Sequence, residues 1–318
     1  MSEVSIVIPN FNGLSYLEGV LTSLERQTMK SFEVILVDNG SSDGSVAYVT
    51  EHFPKVRIIQ FEENTGFCRA VNAGIQASDT PYVILLNNDI ETDFRFVEEL
   101  VAGIKRHKRA FSCQAKMIQY HDRSKIDDAG NYYSALGWAY ARGKGKNVES
   151  YNTEEQIFSS CAGAAIYRRS FLEKTGLFDE EHFAYLEDMD LGYRARIHGF
   201  ENWYIPKSKV YHVGSGTSGS RYNLFKIRYS SRNNVYMIYK NMPIAQIILN
   251  LPFLIVGFGV KFVFFTLKGF GKEYAAGIKN GFQISSKEKK VSFSLKHIGN
   301  YGKIQFELWK GMIRRFRR

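Results

Sequence analysis

The chain has 318 residues, room for one large domain or for one domain with an appendage at roughly 150 residues each. Its 44% hydrophobic and 23% charged residues, with 24 Phe and 19 Tyr, exclude disordered, collagen-like and disulfide-scaffold classes. The net charge of +10 is unevenly spread: residues 1–200 carry 21 Lys and Arg against 28 Asp and Glu, whereas residues 201–318 carry 21 against 4. An acidic front part repels nucleic acid, and the basic, aromatic back part suits phosphate or an anionic membrane surface.

The first ten residues, MSEVSIVIPN, lack the basic and long apolar stretches of a secretory signal and read as a first strand. Short β-branched or aromatic runs at 4–9, 32–38, 56–61 and 82–86 have strand length. Between them, 14–27, 44–52 and 66–77 have helical length and amphipathic spacing, with Ser42-Asp43 and Thr65 as starts. The alternation predicts an α/β fold, a mostly parallel sheet flanked by helices, with ligands bound beyond the carboxyl ends of the strands.

Those ends carry Pro9-Asn10-Phe11-Asn12-Gly13, then Asp38 to Gly44, then Asn64-Thr65-Gly66-Phe67, then Asn87-Asn88-Asp89. Any one tip could be turn chemistry alone; four together predict a crevice. From 120 to 160 the periodicity dissolves into glycine, tyrosine and charge, which predicts loops over the sheet edge. A strand at 163–169, helices at 170–178 and 187–198 and a last strand at 202–212 follow, then a Gly/Ser-rich loop at 214–220. Cys68, Cys113 and Cys161 are widely spaced without a C-x-x-C pair, which fits a reducing, cytoplasmic setting and neither disulfides nor a cysteine zinc site.

The segment 244–267 holds 17 apolar residues out of 24. It is long enough to span a membrane, but Pro252 and Lys261 interrupt it, so a kinked or re-entrant segment or two short helices dipping into one leaflet fit as well. Trp309, Met312, Ile313 and Phe316 recur at helical spacing beside Lys310, Arg314, Arg315, Arg317 and Arg318, the composition of an interfacial anchor.

The runs SIVIPNFN (5–12), VDNGSSDGS (37–45), NTGF (64–67) with Ala70 and Asn72, LNND (86–89) and EDMDL (187–191) resemble, in order, the motif series of the family 2 glycosyltransferases. Arg232-Asn233-Asn234 and Lys240-Asn241 before an apolar segment are similar to rhamnosyltransferase-like members that build bacterial surface polysaccharide. The resemblance implies a GT-A-type catalytic domain at 1–240 and a mainly helical, basic, membrane-associating region at 241–318. It implies an inverting enzyme on the cytoplasmic face of the inner membrane, peripheral or monotopic with a single span left open. Its donor would be dTDP-rhamnose or, next, a UDP-hexose, and its acceptor a lipid-linked or growing polysaccharide.

The same resemblance assigns donor contacts to Pro9, Phe11, Asn12, Asp38, Asn64, Gly66, Asn72, Asn88, Asp89 and Arg221. Phe11 can offer a face to the base, and Asp38 matches the position that accepts from the base or ribose. A divalent cation, Mg²⁺ or Mn²⁺, would offset the diphosphate, with Asp89 as ligand and His212 at a further ligand position. The family's acidic pair is reduced here to Asn88-Asp89, so water or neutral oxygens must complete such a site. Arg221 and the Gly/Ser loop could close over the diphosphate and exclude water. Asp188 is the expected general base, its pKa raised by neighbouring Glu187 and Asp190. In a helix, residue 188 faces away from 190, so the three acids cannot all point into one site.

Two readings compete with this one. In the first, a catalytically silent α/β adaptor uses its basic tail to bind membrane or nucleic acid. In the second, nucleotidyl transfer requires a basic, glycine-rich loop after the first strand, and 10–13 has neither Lys nor Arg.

Overall fold

The structure, a computed structural model, describes residues 2–214 and 223–316. The chain opens with β1 (Val4–Asn10), α1 (Leu14–Glu25), β2 (Phe32–Asn39), α2 (Ser45–His52), β3 (Arg57–Phe61), α3 (Phe67–Ala77) and β4 (Tyr82–Leu86), the alternation that the sequence predicts. β5 (Ile90–Thr92), α4 (Phe96–Arg106) and β6 (Ala110–Gln119) come next. The remaining strands are β7 (Ile126–Asp128), β8 (Asn131–Tyr133), β9 (Ala139–Ala141), β10 (Glu155–Ile157), β11 (Ala164–Arg168) and β12 (Glu201–His212). Helices α5 (Arg169–Thr175) and α6 (Glu187–Ile197) lie between β11 and β12; α7 (Leu224–Asn241), α8 (Ile244–Leu267), α9 (Gly271–Ser285) and α10 (Ile298–Phe316) end the chain.

Ten strands form one sheet in the order β10-β12-β6-β11-β4-β1-β2-β3, with β5 paired to β12 and β7 to β6. β1 to β4, β6 and β12 run one way, and β5, β7, β10 and β11 run against them. The chain steps outward from β1 through β2 to β3, then returns to place β4 on the other side of β1. The carboxyl ends of β1 and β4 therefore flank the point where strand order reverses, the usual crevice of an open α/β sheet. Alternating side chains explain why β1 is buried on both faces. Ile6 and Ile8 pack with α1 and α4 on one face, while Val7 packs with α3 on the other.

The segment 120–160 departs from expectation. Instead of loops over an edge it supplies β7 to β10 and buries Ile126, Tyr132, Tyr133, Ile157 and Phe158 in a third cluster with α6, α7, α8 and α10. Its apolar residues show no regular period because they pack against four different elements in turn. The C-terminal helices thus share a core with the sheet domain. α8 departs from the divided form: it is one helix of 24 residues with Pro252 inside, which leaves one backbone carbonyl without its helical donor.

Candidate active site

Three strand tips are tied together by amides and one carboxylate. Asn10 Nδ2 donates to Asp38 Oδ1 at 2.9 Å, and Asn10 Oδ1 accepts from Asn88 Nδ2 at 2.7 Å. Asp38 is fully buried and also accepts from the Ser41 N–H at 3.0 Å, so both its oxygens brace the tips of β1 and β2. Asp38 thus braces the two tips, with one hydrogen bond on each oxygen. Pro9 and Phe11 are half-buried, and Asn12 and Asn64 are exposed at the rim. Asn12, with φ of 49°, accepts from the Ser42 N–H at 2.9 Å. Asn64 Oδ1 accepts from Asn39 Nδ2 and from the Gly66 N–H, both at 3.0 Å.

Gly66 and Asn72 meet the segment that leads into α6. Gly66 has φ of +89°, and a β-carbon there would lie 2.6 Å from the Phe183 ring, so only glycine lets that ring pack against the tip. Asn72 donates to the Phe178 carbonyl at 2.8 Å and accepts from the Phe178 N–H at 3.1 Å. Its amide anchors this segment. Arg221 and residues 215–220 lie outside the described residues.

Asp89 and His212 are brought together by pairing between β5 and the end of β12, where His212 stands opposite Ile90. His212 Nε2 faces Asp89 Oδ1 at 3.4 Å, and Nδ1 lies 2.8 Å from Asp127 Oδ2. Burial acts to lower the imidazole, but hydrogen bonds and charge from Asp127 and Asp89 outweigh it and hold its pKa up to about 9. A carboxylate oxygen and a ring nitrogen facing each other, with a second carboxylate orienting the imidazole, is a donor set that fits a divalent cation once the cation displaces the imidazolium proton. A second acidic group, Asp179, His182 and Asp190, is already served by a cation: Lys240 Nζ lies 2.5 Å from Asp179 and 3.0 Å from Asp190.

Asp188 stands in the first turn of α6. Its Oδ2 accepts from Asn131 Nδ2 at 3.2 Å and its Oδ1 from the Met189 N–H at 2.6 Å. Burial pushes its pKa well up, and the charge of Asp128 adds to the effect. Burial likewise raises Asp128 to about 6. Glu187 is pushed up by burial and then by Asp188, and its Oε2 is enclosed with no hydrogen-bond partner among the described residues. Asp190 points the other way, as helical geometry requires. It is fully buried on Arg194, Lys240 and Asn241; the two cations, with the Asn241 hydrogen bond, outweigh burial and hold it far below the usual carboxylate range.

β7 serves both groups: Asp127 holds His212, and the charge of Asp128, on the other face of the strand, raises Asp188. Sequence reasoning missed Asp127, Asp128, Asn131 and the bracing role of Asn10. The acidic pair just before Ala129-Gly130 was a visible signal, obscured by the lost periodicity around it.

An open α/β sheet with a reversal crevice, flanked by helices, is a fold of the GT-A type. The chain belongs to glycosyl transferase family 2, whose family model matches residues 5–176, and it is a glycosyltransferase. An N-acetylglucosaminyl-diphospho-decaprenol L-rhamnosyltransferase of Mycobacterium tuberculosis is 28% identical, over 67% of this chain and 77% of that protein. Among solved structures, S. aureus TarS residues 1–349 in complex with UDP-GlcNAc superposes with a TM-score of 0.60 at 18% identity, covering 89% of this chain and 81% of that one. GalNAc-T7 with UDP, GalNAc and Mn2+ gives 0.60 at 18% identity, with 75% of this chain matched to 48% of that chain. At these identities the structures show a shared fold.

Proposed function

We propose that the chain transfers a sugar, with inversion, from a nucleotide-sugar donor to a hydroxyl of a lipid-linked or growing cell-surface glycan, with Asp188 as general base. The observation that carries this reading is Asp188: a half-buried carboxyl, oriented by Asn131 and raised in part by Asp128, whose β7 neighbour Asp127 holds His212. A single in-line displacement needs one base, and a raised pKa strengthens it for work near neutrality. The acceptor oxygen attacks the anomeric carbon as its proton passes to Asp188, and the bond from that carbon to the donor diphosphate breaks. Pro9, Phe11, Asn12 and Asn64 rim the crevice where the nucleotide would lie, with Asn88 and Asp89 beneath its diphosphate. Asp89 and His212 would hold Mg²⁺ or Mn²⁺, which supplies positive charge against the leaving diphosphate.

The rhamnosyltransferase relative favours dTDP-rhamnose as donor and a diphosphate-linked lipid as acceptor; the fold shared with the UDP-GlcNAc complex keeps UDP-hexoses next. A lipid acceptor calls for a membrane seat, and α8 has the form of one. It turns Gln246, Asn250 and Gly257 toward the protein and leaves Ile248 and Ile255 each 64% exposed. Gln246 and Asn250 bond Gln305 of α10, and Trp138 Nε1 bonds the Gly257 carbonyl at 2.9 Å. A helix held along the domain over half its length, apolar side outward, suits lying in one leaflet at the cytoplasmic face more than crossing it.

The test is Asp188→Asn. Nucleoside diphosphate release from dTDP-rhamnose or a UDP-hexose, with a GlcNAc-diphospho-lipid as acceptor, falls by about 10²- to 10⁴-fold in kcat, the usual worth of a positioned base. Wild-type rates in that variant would overturn the assignment.

A further inference from the structure

The motif Arg232-Asn233-Asn234 in α7 lies outside the cleft, yet its middle residue reaches the loop that delivers the base. Asn233 is fully buried, and its Nδ2 donates to three backbone carbonyls, those of His182, Ala184 and Tyr185, each at 2.8 Å. Its own carbonyl oxygen accepts from Arg232 Nε at 2.9 Å, which fixes the orientation of the amide so that both hydrogens face the loop. Arg232 also donates to the Glu181 carbonyl.

The gripped loop is the most contorted stretch of the described backbone. Of four non-glycine residues with left-handed φ, three are here: Phe183 at 59°, Tyr185 at 72° and Leu186 at 66°. Leu186 is the N-cap of α6 and has no side-chain cap, so the direction in which α6 starts, and with it Asp188 two residues on, is set by these torsions. Bulky residues hold such torsions only when their surroundings over-determine them. Part of that constraint comes from the Phe183 ring on Gly66 and the Phe67 N–H on the Phe183 carbonyl. The rest comes from α7.

We propose that Asn233 is a positioning residue for transfer: by clamping three loop carbonyls it holds the left-handed turn that aims Asp188 into the cleft. This rests on the reading of Asp188 as base. It also gives the Arg-Asn-Asn motif a task that a packing role would not need, since an apolar residue fills the same space without donors.

The experiment uses the full chain with Asn233→Ser and the near-isosteric Asn233→Leu. Asn234→Ser is a control of equal burial on the same helix; Asn234 bonds Tyr133 and the Gly137 carbonyl, away from the loop. Two quantities are read. One is kcat and donor KM with dTDP-rhamnose and UDP-N-acetylglucosamine on a GlcNAc-diphospho-lipid. The other, independent of turnover, is amide hydrogen exchange across 183–188. In both Asn233 variants the expected result is a kcat at least 30-fold lower with donor KM within threefold, and exchange at 183–188 at least tenfold faster while β4 and α7 keep their rates. Asn234→Ser keeps kcat within threefold. Unchanged exchange, unchanged kcat, or an equal kcat loss in Asn234→Ser would each overturn the proposal. Asp188→Asn, run in parallel, separates the two failures. If that variant stays active, the base assignment falls. If it is inactive while the Asn233 variants work normally, only the clamp falls.

Discussion

His182 is enclosed beneath the loop that leads to Asp188, and neither ring nitrogen has a hydrogen-bond partner among the described residues. Burial lowers its pKa to about 4, below the ordinary value near 6.5. The unfolded chain therefore takes up the proton first, so this contribution to stability is present above about pH 6.5 and lost as pH falls toward 4. Between pH 7 and 5 the loss amounts to about 2 kcal/mol. Denaturant unfolding should show that slope in the wild type and a flatter one in His182→Phe; equal slopes would mean that the imidazole is not kept neutral. Asp190 has the opposite chemistry in the same pocket. Its depressed pKa adds stability above the ordinary Asp range near pH 4, which is lost only in stronger acid, so the two residues act in separate pH windows.

At the scale of elements, α8 inverts the pattern of a helix in a water-soluble protein. Gln246 and Asn250 are buried with Gln305 and, through Gln246, with the Tyr193 hydroxyl at 2.8 Å, so the polar groups are satisfied internally. Ile244, Ile248, Ile255, Val263 and Leu267 are exposed, an apolar surface far larger than isolated surface residues make. Hydrocarbon solvates such a face, and each large aliphatic side chain removed from water contributes about 1.5 to 3 kcal/mol. The combined variant Ile248→Gln, Ile255→Gln, Val263→Gln should bind phosphatidylglycerol vesicles at least tenfold more weakly in co-sedimentation, with its thermal midpoint nearly unchanged. Vesicle binding equal to that of the wild type would show that α8 is not the seat.

At the scale of the whole molecule, the proposed donor and cation sites draw on β1, β4, β5, β7 and β12. A ligand that binds only the folded chain stabilises it by about 2.7 kcal/mol at a hundredfold excess over Kd. Thermal unfolding with dTDP-rhamnose or UDP-GlcNAc should therefore shift upward by several degrees, and further when Mg²⁺ or Mn²⁺ is added. In His212→Ala the cation-dependent increment should vanish while the donor-only shift persists. An increment unchanged in that variant would remove His212 from the cation site.

The amino-acid sequence by itself determined the alternating strands and helices, the polar strand tips and the stations of Asp89 and Asp188 along the chain. Those features are written in local signals: two-residue and 3.6-residue periodicity, turn chemistry and motif order. Only the tertiary structure decided that Asp127 orients His212, that Asn10 bonds Asp38 and is itself held by Asn88, that Asn72 anchors a backbone segment, and that α8 faces its amides inward. Each of these contacts joins residues distant in sequence, and their meeting depends on which strands become neighbours. β12 beside β5 and β7 beside β6 are outcomes of packing the whole sheet, and no local pattern encodes them.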